Sequence, residues 1–282
     1  MFVDRNMIQG FGTREITDQI LRAFVKSANG VMHEKERVVG QYEQTLWNTF
    51  KEIDSPVAVW GCLRGTQLVI DEAVRKEHDY YFFDHAYVMN ESKHMPNFKL
   101  KDRVYRVTKN AQLVNTLDEL SNDDYKRIEK YEDHVKLEPW RKDGKYVLVF
   151  EPSDFAKKWW NVPNWTEDTI ELLKKNTDLE IRVRKKSSLI SFESEVKNAK
   201  CVVSLQSAAA VQALIWGIPS YCEEMSAAYP ISLDVKTFEK GTDSIQYIPD
   251  SSRQMWLNSI LANQYTMTEI ADGTCYNRLK NK

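Results

Sequence analysis

Four short runs hold residue types suited to a diphosphate. Ser204, Gln206, Ser207 and Ala208 lie in Ser204-Leu-Gln-Ser-Ala-Ala-Ala210, Arg184 and Lys185 open a run of cations, Glu223 and Glu224 are adjacent carboxylates, and Glu151-Pro-Ser-Asp154 adds a hydroxyl between acids. Ser207 has the side chain of a helix N-cap, and the three alanines after it favour helix while adding almost no bulk to its first turn. The backbone N–H groups there carry the positive end of the helix dipole, which an anion can approach. Arg184 and Lys185 would neutralise phosphates, Ser207 and Ala208 would hydrogen-bond them beside Ser204 and Gln206, and Glu223 or Glu224 would accept ribose hydroxyls. Each run also has a plain structural use: a packed crossover, a solvated charge run, surface glutamates.

Other residues suit an acceptor. Asp84-His85-Ala-Tyr87 follows an apolar strand, so Asp84 or His85 is placed to act as a general base on a hydroxyl. Asp84 equally suits a turn cap, and His85 a hydrogen-bonded structural histidine. Gly61-Cys-Leu-Arg-Gly65 follows another strand. Its glycines allow a substrate close or only mark a tight turn, while Arg64 suits an anionic group. Tyr105-Arg-Val-Thr-Lys109 adds Arg106 and Lys109 as basic contacts, near Tyr87 as a further acceptor contact.

The elements that must position these residues alternate. Thr13 to Ala28 and Glu34 to Ile53 read as helices, Pro56 to Trp60 as a strand, Thr66 to Arg75 as a helix, Tyr80 to Phe83 as a strand, Met89 to Asp102 as a loop and Val104 to Thr108 as a strand. After the charged stretch Ser121 to Gly144, alternation resumes. Strands are read at Lys145 to Phe150, Leu179 to Arg184, Cys201 to Ser204 and Ser220 to Cys222. Helices are read at Thr166 to Lys175, at Phe192 to Asn198 and from Ser207, the last stopping at Gly217 and Pro219. Thr266-Met-Thr-Glu269 is a capping box. This is an α/β chain of two Rossmann-like parallel sheets, ligands gathering beyond the carboxyl ends of the strands. The expected division is residues 1–125 on the acceptor side, 126–265 for the nucleotide, and a final helix in 266–282 packing back on the first domain.

The 282 residues suit about two domains. A net charge of −2 gives no global attraction for nucleic acid, so any DNA contact would use a local patch. Cys62, Cys201, Cys222 and Cys275 include no CxxC pair. With no signal peptide and no long apolar run, a cytoplasmic protein without a membrane span is expected. GxxxxGK[ST], GxGxxG and GxSxG are absent, against P-loop kinases, dinucleotide dehydrogenases and serine hydrolases. His33, His78, His85, His94 and His134 lack metal-ligand spacing, so no metal or other cofactor is expected.

The run Ser204 to Pro219, read as Ser-x-x-Ser-Ala-Ala-Ala-x-x-Ala-Leu-x-x-Gly-x-Pro, resembles the donor-site helix of capsular-polysaccharide-type glycosyltransferases of GT-B architecture. The tail from Arg253 to Glu269 is similar to the closing segment of that group. The runs Tyr81 to Tyr87 and Tyr105 to Asn110 resemble those of compact bacteriophage transferases, some of which glycosylate hydroxymethylated bases in DNA. The resemblance implies two domains facing a cleft, a hexosyl- or pentosyltransferase, a nucleoside diphosphate donor such as a UDP-sugar, and no essential metal. It implies as acceptor a hydroxymethylated pyrimidine in phage DNA within the host cytoplasm, with Arg64, Arg103, Arg106 and Lys109 against the duplex backbone. A surface or capsular polysaccharide is the alternative acceptor, and a non-catalytic nucleotide-sugar binder the alternative outside catalysis.

Overall fold

A computed structural model describes residues 7–13, 15–33, 53–89 and 103–282, together with the backbone of 37–39 and 44–46. The chain divides into two units, Met1–Gln112 with Asn263–Lys282, and Leu113–Ala262. The polar stretch 121–144 lies inside the second unit, and the chain returns to the first at Asn263.

In the first unit, β1 (Gln9–Phe11) leads through α1 (Glu15–Ser27) to β2 (Val31–His33). Two short strands follow, β3 (Arg37–Val39) and β4 (Gln44–Leu46), paired antiparallel. They stand where the sequence suggested one helix from Glu34 to Ile53. Val38, Val39 and Thr45 are β-branched and Gly40 weakens a helix interior, so the local preference goes to strand. The rest of that helix, and the loop at 90–102, lie outside the described residues. Next come β5 (Val57–Trp60), α2 (Thr66–Arg75), β6 (Tyr80–His85) and β7 (Val104–Lys109).

The sheet order is β13-β7-β6-β5-β1-β2, where β13 is Gln264–Thr266. Strands β2, β1, β5 and β6 run parallel, whereas β7 is antiparallel to β6 and β13 to β7. The first sheet is therefore mixed, not wholly parallel as expected, because an antiparallel neighbour needs no crossover helix. One face buries Leu21, Phe24 and Val25 of α1 against Ala58, Phe83 and Val107. Phe24 meets Phe83 edge-on at 4.9 Å and Tyr276 at 5.9 Å. Tyr276 belongs to the closing pair of helices, which start at Met267 behind the capping box of Thr266 and Glu269.

The second unit opens with α3 (Asn122–Ile128) and continues through β8 (Tyr146–Phe150), α4 (Asp154–Trp159), α5 (Trp165–Asn176), β9 (Glu180–Arg184), α6 (Phe192–Lys197), β10 (Cys201–Ser204), α7 (Ala208–Ile215), β11 (Ser220–Cys222), β12 (Leu233–Asp234) and α8 (Asp250–Ala262). Its five strands are all parallel in the order β12-β11-β10-β8-β9. Strands β8 and β10 are fully buried, as their unbroken apolar runs require of a sheet covered on both faces. The chain leaves β8 toward one edge and returns to its other side at β10, so the strand order reverses between them. That reversal is where open α/β sheets bind ligands. Among the described residues no helix is long and apolar enough to cross a membrane.

Candidate functional site

The turn from β10 into α7 lies at this reversal. Ser204 is fully buried and its hydroxyl accepts the Ser207 N–H at 2.9 Å, which closes the turn. The Ser207 hydroxyl accepts the Ala209 N–H at 3.2 Å, and the Ser207 carbonyl accepts the Ala210 N–H at 3.0 Å. Among the described residues the Ala208 N–H has no protein acceptor. Ala208 and Ala209 are half-exposed, so a ligand oxygen can reach this N–H at the positive end of the helix.

Two tryptophans line the same strand ends. Trp160 donates its indole N–H to Gln206, and Trp165 donates to Glu223 at 2.9 Å. The segment joining α4 to α5 thus holds the residues that follow β10 and β11. Residues 161–165, with Asp168, Thr169, Leu172, Glu223, Val235 and Lys236, line an open cleft of about 400 Å³. Glu223 sits at this cleft with one oxygen fixed by the indole, while Glu224 is exposed and its carbonyl accepts from Asn115. Lys157 of α4 pairs with Glu151 at the end of β8 at 2.7 Å, and that bond holds its ammonium above the ordinary lysine range. The sequence reading missed Lys157, Trp160 and Trp165. The N-cap at Ser153, which accepts the Ala156 N–H, is the local signal that announces α4.

Arg184 is engaged elsewhere. It forms an ion pair with Glu195, which is 7% exposed, and donates to Ser188 and to the Ile190 carbonyl. Lys185 is exposed. The cation cluster foreseen beside Ser207 therefore has one member neutralised by α6.

In the first unit, Asp84 and Arg106 are register partners and form an ion pair. The other Asp84 oxygen accepts the His85 N–H at 2.7 Å. The His85 ring meets Trp60 edge-on at 5.5 Å, and Trp60 meets Tyr105 at 5.6 Å. Arg106 lies 5.1 Å from the centre of the Tyr87 ring, and Tyr87 is only 4% exposed. Tyr87 is thus buried against Arg106. Lys109 is also engaged. Because β7 runs antiparallel, Lys109 sits opposite Tyr81 at the other edge, bound to Asp79 at 3.0 Å and to the carbonyls of Lys280 and Lys282. Asp84, His85 and Arg106 are brought together; Lys109 is not.

Gly61, Arg64 and Gly65 all have positive φ (61°, 65° and 94°), and the Thr66 hydroxyl ties the turn by donating to the carbonyls of Gly61 and Leu63. A side chain at Gly61 would meet open space, so its glycine serves the backbone angle. Cys62 in this turn is half-buried; burial first, then the Asp84 charge, push its thiol up to about 12. Cys201 and Cys222 are pushed up to about 12 by burial, and Cys275 is buried. The thiolate is the reactive species, and burial beside Asp84 holds Cys62 in its thiol form at pH 8. The folded protein should therefore react with a thiol reagent at pH 8 at least a hundredfold more slowly than the unfolded chain, by roughly the ratio of thiolate fractions. Rapid loss of one thiol from folded protein would contradict this placement. Among the described residues, no His, Cys, Asp and Glu side chains gather in threes as metal donors.

No protein-family model matches the chain and no curated protein does. Solved structures do. The chain is similar to the β-Kdo 2,7 transferase of KpsC from Thermosulfurimonas dismutans, with 14% identity over 96% of this chain and 99% of that one and a TM-score of 0.52. It is also similar to the β-Kdo 2,4 transferase of the same KpsC, with 13% identity over 92% and 90% and a TM-score of 0.50. The likeness is one of fold. Two α/β units with parallel-strand sheets are the architecture this chain shares with those glycosyltransferases.

Proposed function

We propose that the chain is a glycosyltransferase whose activated sugar is a nucleotide sugar bound at the start of α7. The carrying observation is the Ala208 N–H, without a protein acceptor among the described residues, at the positive end of a bulk-free helix turn, placed where the strand order of the second sheet reverses. In this reading the α7 terminus stabilises the phosphate charge that develops as the nucleotide leaves. Glu223, oriented by Trp165, would accept ribose hydroxyls at the cleft beside α5. The acceptor hydroxyl forms the new bond to the anomeric carbon, the bond to phosphate breaks with its electron pair, and a base takes the proton. Asp84 and His85 remain the candidates for that base.

A surface or capsular polysaccharide is the better-supported acceptor. The two similar structures are named as Kdo transferases, and the basic residues foreseen on a DNA backbone are dispersed, Arg106 neutralised by Asp84 and Lys109 bound at the opposite edge. The test is nucleotide release from UDP-, GDP- and CMP-sugars, alone, with capsular oligosaccharides and with hydroxymethylated duplex DNA. Slow release from one donor class, accelerated by an oligosaccharide and not by DNA, is expected. No release from any donor would make the protein a binder, and acceleration by DNA alone would restore the DNA acceptor.

A further inference from the structure

The turn between β9 and α6 presents bare apolar side chains to solvent. Leu189 is 101% exposed and Ile190 60%, and Lys185, Lys186 and Ser187 beside them are exposed as well. Leaving two such side chains in water forgoes stabilisation that burial would give. The turn is nevertheless braced in this shape. The Ser188 N–H donates to the Lys185 carbonyl at 3.0 Å, and Arg184 bonds the Ser188 hydroxyl at 3.3 Å and the Ile190 carbonyl at 3.2 Å. Beyond the turn, Phe192 is inserted against Trp216 and Phe150, at 5.5 and 6.1 Å. The inward place is therefore filled by Phe192, and Leu189 and Ile190 are held out.

The charges around the tip have one sign. Residues 185–191 contain two lysines and no acid. Among the described residues, the neighbouring carboxylates are paired: Glu195 with Arg184, Glu180 with Arg182 at 2.7 Å, and Glu193 at 3.0 Å with Lys197, which it shares with Glu138. An apolar tip within a cationic rim complements a surface with anionic groups outside and hydrocarbon beneath. We infer that the turn 185–190 docks the second unit on an anionic lipid bilayer, Leu189 and Ile190 entering the acyl boundary while Lys185 and Lys186 meet the headgroups. Two apolar side chains and two cations make such docking weak, reversible and salt-sensitive. The inference is independent of the sugar chemistry, since it rests on this turn alone.

The test is sedimentation of the full chain with phosphatidylcholine vesicles, with and without phosphatidylglycerol. Binding only to the phosphatidylglycerol vesicles, falling as salt rises, is expected. Leu189→Ser with Ile190→Ser should weaken it by at least about tenfold, and Lys186→Glu several-fold, at unchanged melting temperature because these side chains are solvent-exposed. Failure of the wild type to sediment with phosphatidylglycerol vesicles would overturn the inference, as would equal binding to both vesicle types or variants that bind like wild type. Self-association of the wild type that the Leu189→Ser, Ile190→Ser variant abolishes would assign the turn to a second copy and also overturn it.

Discussion

Ala208→Glu is expected to remove nucleotide binding while leaving the fold at least as stable as wild type. The two effects separate because the helix terminus treats a fixed and a visiting negative charge alike. A carboxylate in the first turn of α7 interacts favourably with the dipole, by about 0.3–1 kcal/mol, and half-exposed Ala208 leaves it room. The same carboxylate occupies the N–H that a diphosphate would take and repels its charge. Affinity for UDP, or for whichever nucleotide the donor panel releases, should fall at least tenfold by calorimetry, equivalent to about 1.4 kcal/mol. Ser207→Ala is the complementary case. It deletes the hydroxyl that accepts the Ala209 N–H, so it should cost about 1 kcal/mol of stability and disturb binding less. Unchanged nucleotide affinity in Ala208→Glu, with an intact melting transition, would remove α7 from the donor site.

The turn into α7 was legible in the sequence because its determinants are local. The N-cap, the three alanines, Gly217 and Pro219 lie within a few turns of one another, and the structure places α7 at Ala208–Ile215 with Ser207 as its cap. The buried runs of β8 and β10 were equally plain. What could not be read were pairings across the chain. Trp160 reaches Gln206 over 46 residues and Trp165 reaches Glu223 over 58, and nothing in either segment announces the other. Arg184 finds Glu195 only because the turn after β9 brings α6 back to the end of that strand. The place of Lys109 opposite Tyr81 could not be read either, because strand direction follows from the connection, not from the strand's own residues. The segment 34–53 failed for a nearer reason: spacing suggested a helix, whereas β-branched residues around Gly40 favour strands.

Arg253→Met is expected to destabilise the second unit by about 3–5 kcal/mol, through the far end of the same helix. The Arg253 side chain is 1% exposed and sits 4.0 Å above the centre of the Trp140 ring. It donates to the carbonyl of Leu214 at 2.8 Å and to that of Glu138 at 2.9 Å, with Asp250 as its ion-pair partner at 2.8 Å. Leu214 belongs to the last turn of α7, whose carbonyls have no partner within the helix, and the Ile215 carbonyl accepts the Glu138 N–H at 2.8 Å. Gly217 completes the joint. Its φ is +72°, and a side chain there would lie 2.0 Å from the Pro139 carbonyl oxygen, so segment 138–141 packs directly on the helix exit. Methionine fills most of the arginine's volume but strips the Glu138 carbonyl of this donor and leaves the Leu214 carbonyl only the Gly217 N–H at 3.2 Å, a larger loss than the partly exposed ion pair. Lysine keeps the charge but cannot bridge both carbonyls in the arginine's planar geometry, so Arg253→Lys should recover only part of the stability. Chemical denaturation should show the losses as a lowered midpoint. Because Arg253 holds the C-terminal end of α7 and not its start, nucleotide affinity of Arg253→Lys measured well below its melting temperature should stay close to wild type. A midpoint within experimental error of wild type for Arg253→Met would show that α7 is held by its apolar face alone.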